Sequence, residues 1–321
     1  MYLFKYILKR IGLALLTFFV ITTISFVLVK LLPNTPMEQF GKDMELILKR
    51  REMLGYDLPI LTQYWRFWKY IFQGDFGFSE IMYVGQDVWP IFARRLPFTV
   101  AINVYSLIIS IPLGLGLGIL AALKKNKWQD HVISTGVMVF VSVPSFIYAF
   151  LVLYILYFKL GWVKQPYVNA MEGAWSWAFF KTAIPAILAM SFGTIAGFAR
   201  FTRAELTEVL TSEFMLLART KGLTRGQATI RHAMRNAMVP IFPMILGEFI
   251  SIMSGSLIIE QMFTIPGVGP LYINAVQSQP NPDYNFFMLL EMFYTLIGLL
   301  AGIVIDISYG IIDPRIRMGA R

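Results

Sequence analysis

Few side chains in this 321-residue chain could carry out covalent or metal chemistry. The absence of cysteine excludes a disulfide framework, a thiolate zinc site and a cysteine nucleophile. The two histidines, His131 and His232, lie in different segments, and isolated histidines are more often surface or structural residues than metal ligands. No Ser–His–Asp arrangement is evident. We therefore expect no metal site and no catalytic residue, and an enzyme is the weakest functional hypothesis.

Three carboxylates, Glu248, Glu291 and Asp306, interrupt long apolar runs. A charge inside a membrane is costly and usually faces a cavity or a partner. Glu248 and Glu291 are candidates for lining a translocation path, although a helix-to-helix hydrogen bond is favoured because buried polar residues often join membrane helices. Asp306 is expected to pair with a nearby basic residue. The three could instead form the proton relay of a proton-coupled secondary transporter.

The composition places these residues in a membrane protein. Hydrophobic residues make up 57% of the chain and charged residues 15%, and the mean hydropathy is +0.62. Soluble domains carry about 25% charged residues. Apolar runs of about 20 residues cross a bilayer as helices, because a lone strand cannot satisfy its backbone in lipid. We predict an all-α polytopic membrane protein with six transmembrane helices, at Ile11–Val29, Phe98–Leu123, Val132–Phe158, Ala183–Ala199, Met238–Ile259 and Phe286–Tyr309.

Basic residues in the short connecting segments predict the orientation. Most of the Lys and Arg residues lie at the N-terminus, between the second and third runs, in the segment 200–237 and in the C-terminal tail. The positive-inside rule therefore places both termini in the cytoplasm. The net charge of +9 then reflects topology, and no nucleic-acid partner is expected. The first run is too long for a signal peptide and is interpreted as a retained helix.

Glycine-rich stretches do not indicate a nucleotide site. The chain has no Gly-x-x-x-x-Gly-Lys-Ser/Thr phosphate loop, so it has no evident ATP site of its own. Gly114 and Gly118 lie four residues apart inside an apolar run, which predicts close helix packing. A similar stripe of small residues on the fifth run is formed by Gly247, Ser251 and Gly255.

The long segment after the first run contains an aromatic-rich stretch from Tyr64 to Tyr70. Its pattern predicts an amphipathic helix lying at the outer surface. Because Trp and Tyr are common at membrane interfaces, an interfacial anchor is favoured over a substrate contact.

The segment between the fourth and fifth runs contains a short predicted helix. Ser212 is a suitable N-cap, and Glu213 places a negative charge in the first turn. Arg219 and Lys221 place positive charges in the last turn, and Gly222 suits the left-handed position that follows.

This helix also carries four adjacent apolar residues, Phe214 to Leu217. A solvated basic segment that only sets topology would explain the charges but not the apolar run. Apolar residues exposed in a cytoplasmic segment favour a partner surface, and a short helix docked in another protein's groove is the natural arrangement.

Motifs along nearly the whole chain occur in the order of one family. They are Tyr64-Trp65-Arg66-Phe67, Gly74-Asp75-Phe76-Gly77, Arg95-Leu96-Pro97, Ala218-Arg219-Thr220-Lys221-Gly222-Leu223, Arg231-His232-Ala233-Met234-Arg235-Asn236-Ala237, Pro240, Phe263-Thr264-Ile265-Pro266-Gly267-Val268-Gly269, Asp306, Tyr309 and Asp313-Pro314-Arg315-Ile316-Arg317. By these motifs the chain resembles the permease subunits of oligopeptide and dipeptide ABC importers. It is most similar to the first of the two subunits, which has a long loop after its first span.

Two positions depart from the family pattern. Leu216-Leu217-Ala218 stands where general importers have Glu-Ala-Ala, and Pro280-Asn281-Pro282-Asp283-Tyr284 replaces the usual Arg-Asp-x-Pro of the last outer loop.

The resemblance implies a type I ABC importer permease fold in the cell membrane of a prokaryote. The chain would pair with a second, homologous permease and dock two ATPase subunits, which would bind the ATP and Mg²⁺. An extracellular substrate-binding lipoprotein would deliver oligopeptides. Dipeptides or nickel are alternative substrates.

The resemblance also implies roles for individual residues. Pro266, Gly267 and Gly269 are possible contacts for the binding protein, and a carboxylate at Glu248 or Glu291 could meet a peptide's amino terminus. ATPase coupling is expected from Ser212, Glu213, Phe214, Leu217, Ala218, Arg219, Lys221 and Gly222. The expected organisation is a first helix with its cytoplasmic start (1–32), an outer loop with the interfacial helix (33–97), a five-helix core (98–309) containing the coupling segment 200–237, and a cytoplasmic tail (310–321).

Overall fold

The computed structural model describes residues 2–32, 43–278 and 281–312, and within these ranges the fold is all-helical. The predicted tail from Asp313 onward lies outside the described residues. Two π-helical segments, Tyr154–Lys159 and Thr229–Met234, interrupt the α-helices. The α-helices are α1 (Tyr2–Leu31), α2 (Asp43–Leu54), α3 (Ile60–Phe72), α4 (Val88–Leu123), α5 (Trp128–Ser142), α6 (Ser145–Leu153), α7 (Trp177–Leu210), α8 (Glu213–Thr220), α9 (Arg225–Ala228), α10 (Arg235–Ser251), α11 (Leu257–Met262), α12 (Val268–Gln277) and α13 (Tyr284–Ile312).

Four helices in the described ranges are long and apolar enough to cross a membrane, namely α1, α4, α7 and α13. The bent pair formed by α5 and the following segment makes a fifth candidate. Four of the six predicted runs therefore lie in single helices. All four helices are longer than the predicted runs; for example, α4 begins at Val88 and α7 continues to Leu210.

The third predicted span is not one straight helix. α5 ends at Ser142, Val143 is extended, and the helix after Pro144 leaves at 103° to α5. Proline lacks an N–H group and disfavours helical backbone at the residue before it, which explains the break.

The fifth predicted span is wrong as a continuous helix from Met238 to Ile259. α10 ends at Ser251, and Gly255 adopts a positive φ of 63° in the turn that follows. The Ser256 hydroxyl then caps α11 by accepting from the Ile259 N–H at 3.3 Å. At 17 residues, α10 is about 25 Å long, shorter than the roughly 30 Å of a bilayer core. Gly255 therefore belongs to a turn and not to a helix stripe.

The centre of the fold is the packing of α4 against α7. A side-chain carbon at Gly114 would lie 2.6 Å from Cβ of Phe198, and one at Gly118 would lie 2.6 Å from Cβ of Thr202. The two glycines thus let the helix backbones approach, which confirms the predicted close packing. Beside them, the hydroxyls of Ser106 and Ser191 form a buried hydrogen bond of 3.1 Å.

The predicted amphipathic helix is present as α3, and it packs along α1. Its Trp68 ring stacks on Phe19 with centroids 5.4 Å apart, and the Tyr64 hydroxyl hydrogen-bonds to Thr23 at 2.8 Å. α1 in turn lies against α13. Asp306 pairs with Arg10 of α1 at 2.9 Å, which confirms the prediction that it pairs with a nearby basic residue.

Candidate functional site

The predicted cytoplasmic helix exists as α8, directly after the long helix α7. Ser212 in the connecting turn does not use its hydroxyl as predicted. That hydroxyl donates to the Val209 carbonyl at 2.6 Å, at the end of α7, while the Ser212 backbone carbonyl accepts from the Met215 N–H at 3.1 Å. Ser212 therefore closes the preceding helix, and its side chain joins the end of α7 to the start of α8.

The C-terminal end of α8 is built as predicted. Gly222 has a φ of +91°, a left-handed conformation that glycine adopts without a steric penalty. The Leu223 N–H returns to the Ala218 carbonyl at 3.4 Å, and the Lys221 N–H donates to the Leu217 carbonyl at 3.1 Å. This is the Schellman arrangement, which fixes how the chain leaves the helix.

One face of α8 is packed against the rest of this chain. Met215 and Ala218 are buried, at 4% and 8% exposure, in an apolar cluster with Leu206 of α7 and Ala233 and Ala237 of the following segment. Residues three apart share a helix face, so Met215 and Ala218 both point inward in this conformation, and the docking role of Ala218 stays a prediction.

The other faces of α8 are exposed and apolar. Phe214 is 40% exposed, Leu217 56% and Leu216 64%. Glu213, Lys221 and Gly222 are also exposed, while the side chain of Arg219 lies outside the described part of the structure. Leu216 was not among the predicted docking residues, although it belongs to the same run of four apolar residues and was visible in that pattern.

A buried ion pair anchors the end of α7 that leads to α8. Arg203 donates to both oxygens of Asp130 in α5, at 2.5 and 2.8 Å, and Asp130 is only 1% exposed. Asp130 also accepts from the Asn126 N–H at 2.9 Å and the Ser134 hydroxyl at 3.1 Å. This pair holds the C-terminal part of α7 in a fixed position against α5.

The two candidate path carboxylates have different surroundings. Oε1 of Glu291 accepts from Thr295 at 2.9 Å, and the carboxylate faces Ser25 of α1. These contacts favour the helix-joining role that the sequence analysis preferred. Glu248 is half-buried on α10, and no donor among the described residues lies within hydrogen-bond distance of its carboxylate. Glu291 Oε2 is buried without a hydrogen-bond partner among the described residues, so only one of the two Glu291 oxygens is paired.

The predicted last outer loop is organised around Glu260, a residue that the sequence analysis did not single out. Glu260 is fully buried and accepts from the Thr99 hydroxyl at 3.1 Å and the Gly269 N–H at 3.0 Å. Gly255 and Gly267 also lie against its carboxylate, where a side-chain carbon would collide with the carboxylate oxygens. Burial raises the pKa of Glu260 to about 7.

This arrangement changes the interpretation of the predicted binding-protein contacts. Gly267 and Gly269 are buried around Glu260, so they are not themselves an accessible surface. Pro266 is half-exposed and Thr264 is exposed, the latter with a positive φ of 53°. The spacing of the glycines was visible in the sequence, but their packing against the Glu260 carboxylate was not.

A second buried carboxylate, Asp283, holds the outer loop onto the start of α13. It accepts from the Ser79 hydroxyl at 2.5 Å and from the N–H groups of Ile81 and Met82 at 3.2 and 3.1 Å. Asp283 lies in the stretch that departs from the family pattern, and the structure shows that its role is internal to the chain.

Comparison with known proteins agrees with this architecture. Residues 114–318 match the family described as binding-protein-dependent transport system inner membrane component, and residues 3–103 match the N-terminal domain model of these membrane components. The chain is 34% identical to the dipeptide transport system permease protein DppB of Lactococcus lactis over 316 residues, covering 98% of this chain and 99% of that protein. It is 31% identical over 314 residues to the oligopeptide transport system permease protein OppB of Escherichia coli K12, with 98% and 99% coverage.

A third relative, the dipeptide transport system permease protein DppB of Bacillus subtilis, is 31% identical over 317 residues and is covered over 98% of each chain. The similarity therefore extends over the apolar helices, the outer loop and the α8 segment together. The chain belongs to the family of binding-protein-dependent transport system inner membrane components, as a permease of the oligopeptide and dipeptide type.

Proposed function

We propose that this chain is the permease subunit of an ATP-driven importer that takes up oligopeptides delivered by an extracellular binding protein. The names of its relatives support the substrate class. The observation that carries the proposal is the two-sided construction of α8. Its inner face is packed on α7 and the following segment, whereas Phe214, Leu216 and Leu217 expose apolar surface. A helix fixed on one side and apolar on the other is suited to dock a partner and to transmit its motion.

The topology proposed for this function has six crossings. α1, α4, α7 and α13 supply four, the bent pair of α5 and α6 a fifth, and α10 the sixth. In this proposal both termini and α8 lie in the cytoplasm of a prokaryote, and α3 and the Glu260 region lie at the outer face of the cell membrane. The distribution of basic residues supports this orientation.

The partners follow from the family and from the exposed surfaces. A second, homologous permease completes the path, two ATPase subunits bind ATP and Mg²⁺ and dock on the α8 segments, and a lipoprotein docks on the outer loops, where Thr264 and Pro266 are accessible. ATP binding draws the two ATPases together. Because Arg203 and Asp130 clamp the end of α7 to α5, a displacement of α8 acts on two apolar helices at once.

The test uses the full complex in proteoliposomes, with uptake of a labelled tripeptide and ATP hydrolysis measured together. Gly222→Val imposes a β-branched residue on the left-handed turn and should lower uptake per ATP hydrolysed. Gly226→Val is the matched control, because Gly226 lies in α9 without a positive φ and without neighbours within 4 Å. Normal coupling in Gly222→Val would remove α8 from the proposed role.

Peptide recognition is proposed for Glu248, whose carboxylate has no donor in the described part of the chain. We expect Glu248→Gln to reduce the preference for free peptides over N-acetylated peptides, because it removes a charge that could meet the peptide ammonium. Glu291→Gln is the control, since Glu291 already accepts from Thr295. An unchanged preference in Glu248→Gln would exclude this role.

A proton-coupled carrier is the second candidate, since three carboxylates lie in apolar helices. Asp306 is paired with Arg10, and Glu291 lies 15 residues away on the same helix, which corresponds to about 22 Å. A direct relay between them would need intermediate groups. Uptake driven by a pH gradient with this chain alone would favour the carrier, whereas dependence on the ATPases favours the importer. Competition by dipeptides and nickel in the same assay tests the alternative substrates.

A further inference from the structure

A partly open cavity of about 70 Å³ lies between α1, α3, the turn after α3 and the first turns of α13. It is separate from α8 and from the Glu260 cluster. Its wall is largely apolar and aromatic, with Phe26 from α1, Phe67 and Tyr70 from α3, and Met288 and Met292 from α13. A cavity with this lining favours an apolar occupant over water.

One end of the cavity carries polar groups that are incompletely paired. The Lys30 ammonium lies 3.8 Å from the ring centroid of Tyr56 and makes no ion pair with a described residue. Glu80, whose charge acts on Lys30, is held by Arg51. Gln63 donates to two backbone carbonyls, at 2.7 and 2.9 Å, but its Oε1 is buried without a donor. A ligand at this end would supply an acceptor to the ammonium and a donor to the amide oxygen.

The polar end of the cavity can be located along α1 and α13. Arg10 pairs with Asp306 near one end of α1 and α13, so the two helices are antiparallel. Lys30, close to the C-terminal end of α1, and Tyr284, the first residue of α13, therefore share the opposite end. Met292 lies about 12 Å further along α13. The polar groups thus lie where both apolar helices end, and the aromatic and methionine lining extends inward from them.

We propose that this cavity binds a phospholipid. The phosphate would accept from Lys30, a hydroxyl or ammonium group of the headgroup would donate to Gln63 Oε1, and one acyl chain would lie between Phe26, Phe67 and Met288. The change from polar to apolar along the cavity matches the depth profile of one membrane leaflet. The outward faces of α1 and α3 beside it, including Leu28 and Leu61, are exposed and apolar, which is the surface expected where lipid has access to the cavity. This site is independent of the transport function proposed above.

An apolar side chain of a docking protein is the other conceivable occupant. It would fill the inner end but would bring neither a phosphate for Lys30 nor an obligatory donor for Gln63. The pairing needs of both polar groups therefore favour the lipid.

The experiment uses the full chain in phosphatidylcholine nanodiscs that contain a trace of phosphatidylglycerol with a photoreactive diazirine in one acyl chain. Mass spectrometry of the labelled chain should locate adducts at Phe67, Met288 or Met292. Lys30→Gln should lower this labelling about fivefold, the factor that corresponds to about 1 kcal/mol for one basic residue at an anionic headgroup. Met288→Trp should abolish it by filling the cavity. The control is Leu296→Trp, on the same helix but 44% exposed.

Unlabelled phosphatidylglycerol should compete better than unlabelled phosphatidylcholine, whose headgroup has no donor for Gln63. Equal labelling in wild type, Met288→Trp and Leu296→Trp would overturn the proposal, as would adducts confined to exposed residues such as Leu61 and Trp65. Loss of labelling only when the binding protein is added would assign the cavity to a protein side chain instead. If Met288→Trp fails to fold, Lys30→Gln decides, because that side chain has no ion-pair partner in the described structure.

Discussion

Two buried carboxylates hold the two ends of this molecule, and they are neutralised in different ways. At the α8 end, Asp130 accepts from Nε and Nη2 of the Arg203 guanidinium and from two neutral donors. At the opposite end, which is the predicted outer end, Glu260 receives only neutral donors, the Thr99 hydroxyl and the N–H groups of Gly269 and Ser256, the last at 3.4 Å.

This difference determines what each site can do. A carboxylate with a bidentate guanidinium stays ionised and acts as a permanent clamp between α5 and α7. Glu260 is buried and has only neutral donors, and burial raises its pKa to about 7. Near neutral pH its charged and neutral forms are therefore both populated. The α8 end is therefore fixed by charge, whereas the outer end depends on pH.

Removing the clamp should have the largest effect on stability. Asp130→Ala leaves a half-buried guanidinium without its counter-charge and should destabilise the fold by about 3 kcal/mol. The measurement is the thermal denaturation midpoint of the purified chain in detergent. Arg200→Gln, an exposed residue on the same helix, is the control and should leave the midpoint unchanged.

The exchange Asp130→Arg with Arg203→Asp sharpens this test. If charge pairing is the dominant contribution, the double variant should recover part of the lost stability. A double variant less stable than Asp130→Ala would show that the hydrogen bonds from Asn126 and Ser134 matter more than the ion pair.

Removing the outer carboxylate should have a smaller effect. Glu260→Leu takes away a group that is costly to bury but leaves the Gly269 N–H and Thr99 hydroxyl without an acceptor, for a net loss of about 2 kcal/mol. The denaturation midpoint should fall, while Glu172→Gln, on an exposed loop, should not change it. A loss as large as that of Asp130→Ala would remove the distinction between the two sites.

The pH dependence separates the sites directly. The folded pKa of Glu260 is raised from 4.5 to about 7, so the folded state binds more protons than the unfolded state between these values. This contribution to stability is complete below about pH 4.5 and is lost as pH rises through about 7. Melting midpoints measured from pH 5 to 8 should decline in wild type, and this decline should be weaker in Glu260→Gln. Equal slopes would mean that Glu260 does not titrate in this range.

The sequence predicted the features that depend on neighbouring residues. Gly222 after a basic helix end was sufficient for the left-handed turn, and Gly114 with Gly118 was sufficient for a close helix contact. The ion pair of Asp306 could also be predicted from the sequence, because a charge in an apolar helix requires a partner.

The features that failed depend on distant parts of the chain. Arg203 and Asp130 are 73 positions apart, and no local pattern links them. In α8, four consecutive apolar residues cover every face, so periodicity could not identify Ala218 as inward and Leu216 as outward. The break before Gly255 was missed because small residues four apart, Ser251 and Gly255, also suit a helix-packing stripe. In the structure Gly255 lies in a turn, where it packs against Glu260 together with Gly267 and Gly269.

The smallest expected effect is the loss of one neutral donor at each site. Thr99→Val removes one of three neutral donors to Glu260, whereas Ser134→Ala removes a hydroxyl from a carboxylate that keeps its guanidinium. We expect each change to cost about 1 kcal/mol or less. Only Thr99→Val should also move the pH at which stability declines, and it should move it upward, because the Thr99 hydroxyl lowers the pKa of Glu260. Melting curves at several pH values check both variants. A pH shift in Ser134→Ala would mean that Asp130 also titrates, and the guanidinium would then not be the permanent counter-charge inferred from its geometry.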